Sequence, residues 1–201
     1  MKNISLSLLA ILSLFLFSCK KETSNDQKTE NELTGTWNLL YFVMEGQNSI
    51  ELSSEDLGSI HNIVYMDYLS TNNKGSITFE ENKIKSNELS YDITGTINLK
   101  EYIDGMLVNS FDSTVNIPMP ASSSTNDFVR VTADSIYLPN SSLITIEGAE
   151  DLYSKPGGIK YKFDGDKLIL TARQKESGVI IEDGITQETK SDATMVMTLQ
   201  K

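Results

Sequence analysis

The chain has 201 residues and a formal net charge of −11, with one histidine and one cysteine. An acidic chain repels phosphate backbones and anionic lipid surfaces, so nucleic acid is not an expected partner. One cysteine allows no internal disulfide, and His61 has no second histidine or thiol to complete a zinc site or a catalytic dyad, so no metal, no cofactor and no enzyme activity are expected.

In chain order, Met1-Lys2-Asn3 is a positive start, and Ile4 to Phe17 is apolar apart from Ser5, Ser7 and Ser13. The run is shorter than the ~20 residues of a spanning helix and has the order of a secretion signal. Leu16-Phe17-Ser18 leads directly into Cys19. This resembles the lipobox of bacterial lipoproteins, in which a large aliphatic, a variable and a small residue precede a lipid-modified cysteine. The resemblance implies that residues 1–18 are a signal peptide, cut off before Cys19, whose sulfur carries a diacylglycerol and whose new amine is acylated. One acyl chain binds a membrane marginally, at about 0.8 kcal/mol per buried CH₂, and two or more hold it lastingly. The expected partner is therefore a membrane, reached through the lipid. An ordinary secreted protein with a free thiol is the alternative. Lysine directly after Cys19 is similar to lipoproteins sent to the outer membrane, with the periplasmic and surface faces both open. Residues 19–32 continue as "CKKETSNDQKTENE", which after the cysteine has no aliphatic or aromatic residue and reads as a solvated tether.

Residues 33–201 are enough for one domain with a full core. "LTGTWNLLYFV" alternates Trp37, Leu39, Tyr41 and Val43 with other residues and reads as a first strand. Ser53 and Asp56 stand in capping-box spacing, and Leu57, Ile60, Val64 and Tyr68 recur at helical spacing, which predicts a helix over 54–68 with His61 half-buried on it. From Gly75 the chain is a series of strand-like runs. "LSYDITGTINL" is a long strand with Gly95 at a potential bend, Asp104-Gly105 marks a tight turn, and Pro118, Pro120 and "ASSSTND" predict an exposed loop. Two short runs flank 133–135, "SLITIEG" is another, and "GIKYKFDGDKLILTAR" is a hairpin setting Ile159, Tyr161 and Phe163 opposite Leu168, Leu170 and Ala172. "ATMVMTLQK" closes the chain on an apolar alternation.

Gly35-Thr36-Trp37, opening the first strand straight after the tether, resembles the lipocalins and lipocalin-like bacterial lipoproteins. The resemblance implies an all-β, calycin-type antiparallel barrel of about eight to ten strands over 33–201, with one helix in the first long connection. It also implies that Trp37 packs across the closed end under a basic side chain. Lipocalins carry an arginine for this on the last strand; here that strand has only Lys201, and Arg173 is the arginine available for the part. A barrel of about this size is either filled by its own side chains or holds one small ligand. Tyr91, Tyr161, Phe79, Phe163 and Met197 are the candidate lining for a small apolar or amphipathic molecule, with the helix over its mouth. The alternative is a structural or protein-interaction module at the membrane surface with a filled barrel.

Overall fold

The computed structural model describes residues 33–56, 58–139 and 156–201. Cys19, the signal peptide, the tether, Leu57 and the "SLITIEG" run lie outside the described residues. The described chain is all-β, with nine strands in one antiparallel sheet: β1 (Gly35–Ser54), β2 (Gly58–Phe79), β3 (Lys83–Ile103), β4 (Met106–Asp127), β5 (Val129–Thr132), β6 (Ser135–Leu138), β7 (Gly157–Asp164), β8 (Lys167–Glu182) and β9 (Ile185–Gln200).

The order across the sheet is β4-β3-β2-β1-β9-β8-β7-β6-β5. Every pair of strands adjacent in sequence is also paired in space except β4 with β5, and the first strand pairs with the last. This is the connectivity of an up-and-down barrel with one seam left open. The strands differ greatly in length. β1 to β4 have 20, 22, 21 and 22 residues, whereas β5, β6 and β7 have 4, 4 and 8. At about 3.3 Å per residue the long strands run roughly 70 Å, far beyond the reach of the short ones. The molecule therefore has two ends: a curled one where all nine strands contribute, and a projecting six-stranded blade, β4-β3-β2-β1-β9-β8.

The core lies in the curled end. Trp37, Leu39, Phe42 and Met44 of β1 join Ile77 and Phe79 of β2, Leu168 and Leu170 of β8, and Met195, Met197 and Leu199 of β9 in one buried cluster. Curling is visible in contacts that skip strands. The Trp37 and Phe163 rings, three strands apart across the sheet, are 5.9 Å between centroids, and Phe42 meets Tyr91 edge-on at 5.0 Å. A bulge in β1 near Leu40 helps the sheet turn. The ladder groups it frees are taken up by side chains: the Phe42 N–H donates to Ser70 Oγ at 2.7 Å, and Asn73 Nδ2 donates to the Leu40 carbonyl at 2.8 Å.

Two sequence expectations are corrected. Residues 54–68 form no helix: Gly58–Tyr68 is the first half of β2, and Glu55-Asp56 belongs to the turn before it. Ile60, Val64 and Tyr68 are spaced by four, and four is a multiple of two, so they share one face of a strand as well as one face of a helix. Pairing with both β1 and β3 decides between the two. The predicted loop at Pro118 and Pro120 is also strand, part of β4. β4 is the sheet's edge, where a proline nitrogen points to the open side and removes no ladder bond. Other readings agree with the structure. The β7–β8 hairpin pairs Ile159, Tyr161 and Phe163 with Ala172, Leu170 and Leu168, and β5 and β6 flank residues 133–134.

Candidate functional site

Alternation along β2, β3, β7 and β9 sends the five candidate lining residues to the inner face of the curl, where they join one packed cluster. Phe79 and Met197 are fully buried, Tyr91 and Tyr161 nearly so, and Phe163 is half-buried against the same cluster. The Phe79 ring meets Phe128 at 6.2 Å, and Phe163 lies 5.9 Å from both Trp37 and Tyr161. Tyr161 directs its hydroxyl to its own chain: it donates to the Ala133 carbonyl at 2.7 Å and accepts from Arg130 Nη1 at 3.4 Å. Burial pushes the Tyr91 phenol up to about 12 and raises that of Tyr68. The structure thus brings all five together, as parts of a packed interior.

Trp37 stands at the same end. Its indole Nε1 donates to the Leu33 carbonyl at 3.0 Å, and the Lys201 ammonium lies 4.6 Å from its ring centroid. Gly35 has φ +129°, a backbone region that L side chains rarely adopt, which explains a glycine two residues before the tryptophan. Arg173 does not cover Trp37. It sits on β8 opposite Thr194 and reaches diagonally to Asp192, gripping that carboxylate with two hydrogen bonds, Nε at 3.0 Å and Nη2 at 2.7 Å, which hold the Asp192 carboxyl below the usual range. The covering cation is Lys201, on the last residue of the chain, so the signal was its place at the end of the final strand.

His61 lies on β2 between Glu51 of β1 and Tyr102 of β3, half-buried, with its ring 6.1 Å from Tyr102. Among the described residues no three His, Cys, Asp or Glu side chains are arranged to hold a metal, and no helix is long and apolar enough to cross a membrane. An open hollow of about 450 Å³ lies on the outer face of the blade, where Glu45, Asp67 and Asp192 stand among Gln47, Tyr65 and Asn98. Glu45 and Asp67 are directly opposite in the ladder, an arrangement that destabilises adjacent strands.

The blade's far end has a different character. The chain reverses there after β1, β3 and β8, and β4, leaving the second reversal, and β8, entering the third, expose large apolar side chains. Met106, Leu107, Val108 and Phe111 on β4 and Val179, Ile180 and Ile181 on β8 are all more than half exposed. Isolated apolar residues on a surface are ordinary, but runs of them mark contact sites. The runs "MLV" after Asp104-Gly105 and "VII" before Glu182-Asp183-Gly184 were readable as strand ends; that no described residue covers them was not.

No protein-family model and no curated protein matches the chain. Among solved structures, the chain is similar to Ail, the attachment invasion locus protein of Yersinia pestis, at 9% identity over 82% of this chain and 99% of that one, with a TM-score of 0.16. The same protein in complex with the heparin analogue sucrose octasulfate gives 8% identity, the same coverages and a TM-score of 0.15. That similarity is too slight to transfer a fold or a function.

Proposed function

We propose that this is a lipid-anchored protein of the bacterial cell envelope, held at Cys19 in the outer membrane, that acts without catalysis by offering its projecting blade to a protein neighbour. The observation that carries this reading is the pairing of a packed curl with an apolar tip that no described residue covers: the side chains expected to line a ligand cavity belong to one core cluster, while Met106–Val108 and Val179–Ile181 are exposed. The lipocalin-like reading of the curled end is supported by Trp37 beneath Lys201 and by the first-to-last strand pairing. Two measurements test the proposal. Cys19→Ser should move the protein from the membrane to the soluble fraction. A photo-crosslinking residue at Val108 or Ile180 should capture one dominant protein neighbour in cells, and capture of none, with the protein expressed and folded, would refute the interaction reading.

One observation favours a second reading, binding of an amphipathic molecule. The inner face stays apolar beyond the core through Val64, Met66, Ile97 and Leu99, all half-buried, and beside them Asn48 Oδ1 and Ser191 Oγ, on facing residues, are buried without hydrogen-bond partners. Such a surface suits an apolar chain with one polar group. Native mass spectrometry of protein taken from its own membrane should then show a bound lipid-like mass, and Val64→Asp should remove it.

A further inference from the structure

The blade has two unpaired edges, and they match. Among the described residues β7 covers β8 only as far as Ala172, so residues 173–182 have a neighbour on one side alone, and β4 pairs only with β3. On β4, Pro118 and Pro120 deny a donor to any added strand, and below them residues 106–117 hold no proline, no lysine and one charge, Asp112. Following paired residues across the sheet, Val115, Gly95, Tyr68, Met44, Met195 and Ala172 lie on one line. Met106, Ile103, Ile60, Leu52, Gln187 and Ile180 lie on another, near the tip. The two open edges thus begin and end at the same levels. Alternation of direction through six strands also makes β4 and β8 antiparallel.

We propose that the β4 edge of one molecule pairs with the β8 edge of a second copy, continuing the sheet from molecule to molecule. The proposal rests on the interaction reading above and names its partner. Extending the cross-strand lines into a second copy sets Leu107 beside Val179 and Met106 beside Ile180, apolar against apolar. On the line through Asn98, Tyr65, Gln47 and Asp192, Asp112 meets Lys175. Within one molecule Asp112 accepts a hydrogen bond from Asn98 and has no cation against it among the described residues. Lys175 is largely exposed and lies 3.9 Å from Asp192, a carboxylate that Arg173 already holds. The edges are therefore complementary in length, in hydropathy and in charge. Long uncovered edges of this kind are templates for strand addition. Because the two edges differ, the contact is head to tail and generates a ring or a row rather than a closed pair; a lipid anchor on each copy confines that growth to the plane of a membrane.

Directly paired antiparallel residues have Cα atoms about 4.5 to 5.5 Å apart, within disulfide range. The test therefore uses the full-length lipidated protein in its own membranes, carrying Asp112→Cys, Lys175→Cys or both, oxidised and run without reductant. The double variant should give a ladder of dimers and larger species, the two single variants together in one cell should give dimers only, and each alone should stay monomeric. Monomer throughout, a disulfide inside one molecule (the blade closing on itself), or crosslinking by Asp112→Cys alone would each overturn the proposal. Asp112→Lys on an otherwise native chain should lose chemical crosslinking between copies, and adding Lys175→Asp should restore it; equal crosslinking in all three would also overturn it. Should these fail while the photo-crosslinker at the tip still captures a different protein, the interaction reading stands and the self-pairing falls.

Discussion

Replacing Gly95 by alanine tests where the sheet bends. A Cβ on Gly95 would lie 2.0 Å from the Asp67 carbonyl oxygen, 2.7 Å from Tyr68 Cδ1 and 2.9 Å from Tyr68 Cα. Two of these atoms belong to the backbone of the neighbouring strand, so no side-chain rotation relieves the contact and β2 must move away from β3. Overpacking of this kind costs ~1 to 3 kcal/mol, and contact with backbone places it near the upper end. Loss of glycine's freedom in the unfolded chain returns about 0.4 to 1 kcal/mol, leaving a net destabilisation of about 2 kcal/mol. With a urea dependence of about 2 kcal/mol/M the unfolding midpoint should fall by about 1 M at unchanged slope. The control is Gly158→Ala in β7, where nothing lies within 4 Å of an added Cβ; it should sit within ~0.5 kcal/mol of the native protein or slightly above it. If Gly95→Ala were as stable as Gly158→Ala, β2 and β3 would not approach closely at this point, and the division into curl and blade would be wrong.

Three further outcomes are expected. Tyr91 keeps its proton in the folded state up to about pH 12, whereas an unfolded tyrosine loses it near 10, so this group's contribution is complete below pH 10 and is lost as pH rises towards 12. Ultraviolet titration of the phenols should lose its latest-ionising step in Tyr91→Phe, and the variant should lose less stability between pH 10 and 12. Lys201→Met should lower stability by ~0.5 to 1 kcal/mol through loss of its charge over Trp37, read by urea unfolding together with a change in tryptophan emission. Arg173→Ala should leave Trp37 emission unchanged and let the Asp192 carboxyl titrate at a higher pH by NMR. In the native chain the Arg173 contact favours folding above the ordinary carboxylate range and fades as pH falls through the lowered value, weakly because both groups are solvated.

Legibility followed the range of the interaction. Local rules were enough where one pattern had one meaning, as in the register of the β7–β8 hairpin around Gly165. On β1 the expected alternation holds for Trp37 and Leu39 and is then corrected: the bulge near Leu40 turns Phe42 and Met44 inward and leaves Tyr41 exposed. Local rules failed where a pattern fits two structures. Ile60, Val64 and Tyr68 satisfy helix and strand alike, and only pairing with β1 and β3, eight to more than forty residues away in sequence at Ile60, removes the ambiguity. Pro118 and Pro120 suggest a loop until β4 is known to be an edge. For the candidate site, sequence identified which rings point inward and could not say whether they enclose space, since that depends on the tilt and stagger of all nine strands together.

By itself, then, the sequence determined most of the strand-forming runs, the inward faces of those without a bulge, the acidic charge and a composition of one histidine and one cysteine, because each depends on residue type and short spacing. Tertiary structure decided the rest: that the rings join one packed cluster, that Lys201 rather than Arg173 covers Trp37, and that among the described residues β4 and β8 are left with open edges at matching heights. Those depend on which distant strands become neighbours. Edge position follows from the order of the whole sheet, and no local pattern records it.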